Sequence, residues 1–518
     1  MKQLLNWIIF LPAVTALLIL LLPRSWSRAL ALLSSVGVAI LALLLLPGYD
    51  AKSVGLSHVV KAVWIPHLGV AYHVGIDGLN LPLVILTACL TPLLFLGLGS
   101  FAGQDPLKDK RMSALVLMMQ TGALGTFLSQ DLLLFYVFWE VILIPAYLLI
   151  GIYGGPERGR ATIQFFLYTF AGSLLMLVGI GWLMIAQQAG GGVVSTAIGD
   201  VMQVKLPFDA AAGLGGLLSV QGLLFAAFAA AFFVKAPLVP FHAWLPSTYT
   251  QAPLLVTLYL AAILSKMGTY GIVKILMPLF PDAMRAFSPV LMWLAAGGIV
   301  YGALLALAQS NLKTAIAYSS LSHVSYILLG LFSLQSVAIS GALLQMVNHG
   351  LAIAGLFFVV GWLEARRGSQ ELSAFGGWAK KTPILATFFM VMVLSSVALP
   401  GTNGFVGEFM ILLSSFKADA AATALAATGM VLGALYMLNV YQRTMFGPAP
   451  AETPQESRDL NVAEALVMSV LTFFVVAIGL GPQPFLVRSQ QAVEATSKRV
   501  HGEAASEQAV APQQVSRD

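Results

Sequence analysis

The sequence predicts an all-α integral membrane protein with about fourteen transmembrane helices. Three observations lead there. Of the 518 residues, 58% are hydrophobic and only 9% charged, against roughly a quarter charged in soluble domains. The apolar residues fall into runs of about 20, the length that crosses a hydrocarbon core. The runs are continuous rather than alternating, so they do not read as barrel strands, and in lipid the remaining way to satisfy the backbone is the helix.

The first run, residues 4–22, follows one lysine and resembles a signal peptide. No good cleavage site follows it, and Pro23-Arg24 ahead of a second run argues for a retained span. The runs continue at residues 29–46, 79–101, 112–129, 132–153, 162–187, 213–237, 253–276, 287–308, 314–332, 338–363, 383–416, 420–446 and 463–480. Lysine and arginine in short loops set orientation. Numbering the loops in order, the odd ones with their flanking span ends carry 14 such residues, among them Lys108, Lys110, Arg111, Lys380 and Lys381. The even ones carry 5: Lys52, Lys61, Lys205, Arg285 and Lys417. Odd loops are therefore expected on the cytoplasmic face and both termini on the other. The tail after Pro482 is polar and is expected to be disordered.

Several classes are excluded. The net charge of +5 is loop cation, so no nucleic-acid partner follows from it. The one cysteine, Cys89, can form no intrachain disulfide and cannot hold an iron–sulfur cluster alone. Histidines and cysteines lack metal-ligand spacing, and no phosphate-loop motif occurs. Gly191-Gly192 and Gly297-Gly298 read as loop or packing glycines.

Two spans are interrupted. Residues 232–253 read FFVKAPLVPFHAWLPSTYTQAP, with Lys235 ahead of Pro237, Pro240, Pro246 and Pro253. Proline removes a backbone donor and clashes with the carbonyl four residues back, so the seventh helix breaks beside a cation. Residues 398–409 read ALPGTNGFVGEF, where Pro400-Gly401, Gly404 and Gly407 break the twelfth helix beside Glu408. Broken backbone and ionisable groups at membrane depth survive where they are buried in protein or line a wet cavity. The two breaks lie five spans apart, and an odd spacing reverses topology. The pattern suits two inverted five-helix repeats, spans 4–8 and 9–13, with discontinuous helices 7 and 12. The expected division is residues 1–111 for the first three helices, 112–276 and 287–446 for the repeats, 447–480 for the last helix and 481–518 for the tail.

Further ionisable residues sit within the runs. Glu140 is mid-run in LLLFYVFWEVILIPAYLLI, with Pro145 five residues on. It reads either as a glutamate holding two helices together or as a proton carrier paired with Lys235. Lys235 could instead snorkel from a helix end, but the prolines beyond it argue for a break inside the membrane. Lys266 lies about thirteen residues after Pro253, near mid-span at about 1.5 Å per residue. Lys274, two turns later, reads as interfacial. His323 and His349 lie in consecutive spans among Ser320, Ser322, Ser325, Tyr326 and Asn348, which suits a hydrated relay as well as packing. Lys313 is a loop charge or a member of the same series. Glu408 could also be a carboxylate on a helix dipole. In chain order Glu140, Lys235, Lys266, His323, His349 and Glu408 form a row of proton carriers.

These stretches, with ILSKMGTYG, SNLKTAIAYSSLSHVSY, NHGLAIAGLFF and, in the third span, VGIDGLNLPLV, resemble the antiporter-like subunits of respiratory complex I over residues 77–446. Asn80 stands where serine is common in the family, and Glu408 where other antiporter-like subunits and many cation/proton antiporter chains have lysine. The resemblance implies proton transfer through the six residues: Glu140 and Lys235 as a switching pair, Lys266 as the central carrier, His323 and His349 along the axis, and Glu408 as terminal carrier. It implies that the chain carries no cofactor, the FMN, iron–sulfur clusters and quinone belonging elsewhere in the complex. It implies antiporter-like neighbours on both sides within the membrane arm, membrane lipids around it, and a bacterial inner membrane. A subunit of a secondary Na⁺/H⁺ antiporter, a subunit of a proton-pumping membrane-bound hydrogenase and a passive helix scaffold are the competing readings.

Overall fold

The computed structural model describes residues 3–52, 55–98, 109–189, 193–448 and 458–502. Lys108, Gly191-Gly192 and the tail beyond Gly502 lie outside them. The chain is a multi-pass helical bundle, and helix occupies each of the apolar runs. Its helices are α1 Leu4–Leu21, α2 Ser27–Leu43, α3 Leu81–Leu98, α4 Lys110–Leu128, α5 Leu132–Val141, α6 Leu143–Tyr153, α7 Arg158–Ala189, α8 Val220–Lys235, α9 Trp244–Gln251, α10 Leu254–Leu279, α11 Pro281–Leu307, α12 Leu312–Phe332, α13 Ser336–Arg367, α14 Pro383–Ser396, α15 Asn403–Ser415, α16 Ala420–Met445, α17 Val462–Leu480 and α18 Gln483–His501. By length and composition, 10 helical stretches among the described residues can cross a membrane, α5 and α6 counting as one. α3, α8 and α14 are shorter apolar helices.

Burial sorts the helices into layers. The most apolar stretch of α13 is entirely buried, and those of α10 and α12 nearly so. α1, α2, α7, α16 and α17 turn apolar side chains such as Leu17, Leu33, Val178, Val431 and Phe473 outward, as a lipid-facing ring does. Three helices at the centre therefore carry polar side chains without exposing them to lipid.

Both expected breaks are present. α8 stops at Lys235 and helix resumes at Trp244. A helix end leaves carbonyls without partners. Here the Trp244 indole donates to the Val234 carbonyl at 2.9 Å, so the tryptophan after the prolines closes the end they create. α14 stops at Ser396 and α15 starts at Asn403. The link passes through Gly401 at φ 94°, a conformation that favours glycine. A Cβ on Gly404 would lie 2.1 Å from the Ser395 carbonyl oxygen, so glycine is required where the start of α15 closes on the end of α14.

Two segments depart from the sequence-based expectation. The second loop holds an antiparallel hairpin, β1 Ser57–Ile65 and β2 Val70–Ile76, turned at Gly69 with φ 64°. Its Val, Ile, Trp and Tyr content carries the signal, which a whole-chain helical assignment hides. The polar tail is the other. Gln483–His501 is helical, because Val493 and Val500, seven residues apart, bury one stripe against the bundle. That helix lies across the hairpin side. Tyr49 donates to the Arg488 carbonyl at 3.0 Å, and Arg499 donates to the carbonyls of Pro278, at 2.7 Å, and Met202.

Long-range capping ties the start of α14 into the fold. Asp459, beyond α16, accepts the Ile384 and Leu385 amides at 2.8 and 3.0 Å. Beside it Arg366 of α13 pairs with buried Glu464 at 2.7 Å, and Glu464 closes a capping box with Asn461 at the start of α17.

Candidate functional site

The centre of the bundle is a line of buried polar side chains. Lys235 ends α8, where the C-terminal carbonyls favour a cation. Its ammonium donates to the Trp139 carbonyl at 2.9 Å and sits 3.7 Å from the centre of the Trp139 ring. Glu140, the next residue, is only half-buried, and no ion pair joins it to Lys235 among the described residues. Trp139, which the sequence reading passed over, is the direct partner. Its backbone lies where α5 ends and α6 begins, at a joint with Pro145 just beyond.

Lys266 is held differently. It lies in a short α-helical stretch of α10, with π turns on either side at Leu260–Leu264 and Ile272–Leu276. A π turn frees a carbonyl from the usual ladder. The Lys266 ammonium donates to the Ala261 carbonyl, inside the first π turn, at 2.7 Å, and reaches Ser265 Oγ at 3.1 Å. It then meets His349 Nδ1 at 2.6 Å.

From His349 the line passes to His323, the ring centres 5.8 Å apart. His323 Nδ1 lies 2.8 Å from Glu408 Oε1. The same carboxylate oxygen accepts from Gln345 at 3.0 Å. Asn348 donates to the Asn403 carbonyl at 2.7 Å, and Ser395 to Asn403 Oδ1 at 2.7 Å, so polar side chains bind the twelfth-span break to α13. Tyr436 of α16 supports the other edge of His323, its hydroxyl 3.4 Å from Nε2 and 2.9 Å from Ser319 Oγ.

Four of the six sequence-derived residues, Lys266, His349, His323 and Glu408, thus form one connected series. Lys235, bound to Trp139, and Glu140 share no hydrogen bond or ion pair with that series among the described residues. Lys313, left open between a loop charge and a line member, is buried and donates to the Ala252 carbonyl at 2.7 Å, at the start of α10. Lys274 is not an isolated interfacial charge: it pairs with Asp77 at 2.5 Å. Sequence reasoning missed Trp139, Gln345, Tyr436 and Asp77. The aromatic residues are hidden in apolar runs, and Asp77 lies within the quoted motif VGIDGLNLPLV, where it drew no role.

Several buried polar atoms near the line have no protein partner: His349 Nε2, Ser320 Oγ, Asn348 Oδ1, Asn403 Nδ2, and the hydroxyls of Tyr249 and Tyr259. Buried polar groups take ordered water when protein offers nothing. The arrangement suits proton exchange, with short contacts between titratable groups and spare hydrogen-bonding capacity beside them.

The fold is that of an antiporter-like membrane subunit. The family model described as NADH:quinone oxidoreductase/Mrp antiporter, TM, matches residues 129–433. The chain belongs to that family. It is 38% identical over 486 residues to NADH-quinone oxidoreductase subunit M of Rickettsia bellii, covering 92% of this chain and 95% of that one. It is 37% identical over 490 residues to subunit M of Rhodobacter capsulatus, covering 93% and 94%. A chain of respiratory complex I from Thermus thermophilus superposes with a TM-score of 0.85 at 31% identity, covering 96% of this chain and 99% of that one. A chain of the Mrp complex from Dietzia sp. shares the fold, with a TM-score of 0.80 at 22% identity, covering 99% of each.

Proposed function

We propose that this chain is a proton-translocating subunit of a membrane-bound NADH:quinone oxidoreductase, moving protons through its interior while electrons pass in other subunits. The observation that carries this reading is the Lys266–His349–His323–Glu408 series, buried in a bundle whose outer face is apolar. A proton on Lys266 has His349 Nδ1 as its acceptor, and one on His323 has Glu408. The imidazole rings lie 5.8 Å apart, centre to centre, and a bridging water would complete the step between them. Charged groups this deep cost several kcal/mol each unless paired, so a structural scaffold has no need of four in a row.

Lys235 acts as a switch on the series in this reading. Bound to the Trp139 carbonyl and ring it is held away from a salt bridge, and rotation at the α5–α6 joint would bring Glu140 to it. The pair alternates between these states as neighbouring subunits respond to quinone reduction. Fourteen crossings, with spans 4–8 and 9–13 as inverted repeats, place the two breaks symmetrically about the line. The loop charges put the hairpin and α18 on the non-cytoplasmic side. Antiporter-like subunits flank the chain on both sides within a bacterial inner membrane, and Glu408 hands protons toward the next.

The test is NADH-driven proton uptake into inverted membrane vesicles carrying Lys235→Ala or Glu140→Ala, at equal levels of assembled complex. Uptake should fall with assembly intact. Undiminished uptake in both variants would remove the switch, and sodium-dependent proton exchange without NADH would favour a secondary antiporter instead.

A further inference from the structure

The buried pair Asp77–Lys274 lies outside the series just described. Lys274 Nζ donates to Asp77 Oδ2 at 2.5 Å, and the two side chains are 11% and 8% exposed. Asp77 Oδ1 accepts the Leu79 and Asn80 amides, each at 2.9 Å, fixing the carboxylate at the junction of β2 and α3. Asn80 Oδ1 accepts the Asp77 amide at 2.9 Å. The Asn80 amide group donates to the Phe127 carbonyl at 2.9 Å, and Tyr270 donates to that same carbonyl at 3.0 Å.

Lys266, Tyr270 and Lys274 are spaced four apart on α10. In a helix that spacing keeps side chains on one face. The second π turn begins between Tyr270 and Lys274, and its wider turn still leaves positions four apart close in direction. Eight residues rise about 12 Å, with the Tyr270 hydroxyl and the Asn80 amide between. One face of α10 therefore runs from the central lysine to a carboxylate beside the hairpin.

Resting on the proton-transfer reading above, we infer that Asp77 and Lys274 form the outlet that joins Lys266 to the hairpin side of the membrane. The step balances in protons. The Lys274 ammonium gives a proton to Asp77 across their short hydrogen bond, leaving an amine and a carboxylic acid. The acid releases that proton to water at the hairpin surface. The amine takes another from the interior, past Tyr270, and the ion pair is restored. The neutral intermediate is what a low-dielectric site tolerates, since it removes two buried charges together.

The discriminating variant is Lys274→Arg. Arginine keeps the charge and the hydrogen bond to Asp77, so the structural contact survives, but it does not give up a proton. Proton uptake per NADH oxidised is measured in inverted vesicles at equal assembly. Lys274→Arg and Asp77→Asn should each lower it by at least tenfold, and Asp77→Glu should restore a measurable part. The paired replacement Asp77→Asn with Lys274→Gln should pump as poorly as the single variants. Wild-type uptake in Lys274→Arg overturns the inference, and so does recovery in the paired replacement, which would make the contact a fastening only. Lys266→Ala, in the series itself, is run alongside. If it pumps normally, the proton-transfer reading itself fails; if it is blocked while Lys274→Arg pumps, only the outlet does.

Discussion

Replacing Glu408 with glutamine tests the end of the polar line with the least change of shape. The two side chains have nearly the same volume, and glutamine keeps an oxygen to accept from Gln345, which now bonds Glu408 at 3.0 Å. What is lost is the carboxylate 2.8 Å from His323 Nδ1. A hydrogen bond with a charged partner contributes about 1.5–3 kcal/mol. Each 1.4 kcal/mol is about tenfold in rate or equilibrium, so the His323-to-Glu408 step should slow by roughly ten- to a hundredfold. The assay is the initial rate of NADH-driven proton uptake into inverted vesicles, with complex content fixed by NADH dehydrogenase activity in native gels. Glu408→Asp, whose carboxylate withdraws by one methylene, should lie between glutamine and wild type. Uptake in Glu408→Gln within error of wild type, with assembly unchanged, would refute the assignment of Glu408 to the line.

Other perturbations follow from the same geometry. Trp139→Leu removes the ring beneath Lys235 but keeps the carbonyl; a desolvated cation–π contact contributes about 2 kcal/mol, so proton uptake should change by up to about thirtyfold, and an unchanged rate would show that the carbonyl alone holds the lysine. Glu464→Ala strands Arg366 and opens the α17 capping box; breaking a buried pair costs about 3–5 kcal/mol, so the midpoint of heat-induced loss of assembled complex should drop by several degrees. His73, on β2, is held below its ordinary value of 6.5, first by burial and then by Lys61. The folded hairpin therefore prefers neutral His73: its stability is complete above pH 6.5 and declines as pH falls from 6.5 through the lower folded value. Protection factors of the hairpin amides, corrected for the intrinsic pH dependence of exchange, should be lower at pH 5.5 than at pH 7.5, and His73→Gln should abolish the difference.

The helices were legible because lipid makes composition a direct readout of span, and the breaks because proline and glycine mark them at fixed positions. Lys266, His323, His349 and Glu408 stood out because a titratable residue in an apolar run is costly. Their order in the chain does not reveal that His349 lies between Lys266 and His323 in space; that follows from α13 passing through the centre. Trp139 was invisible because its role rests on a backbone carbonyl, which every residue has, and on an aromatic face in a run rich in aromatics. Asp77 and Lys274 are separated by most of the first half of the chain, so no local pattern pairs them. The C-terminal helix was misjudged because its polar average masks two valines seven residues apart.

That helix has a consequence for how the chain comes to be complete. Tyr49 and Arg488 meet across 439 residues, and the same helix fastens Pro278 and Met202. A ribosome feeding the membrane in order has inserted all the earlier helices before this clasp exists. Until it arrives, the end of α10 nearest Lys274 and the loop ahead of the hairpin lack their cover, so the hairpin side of the bundle is the last face to close.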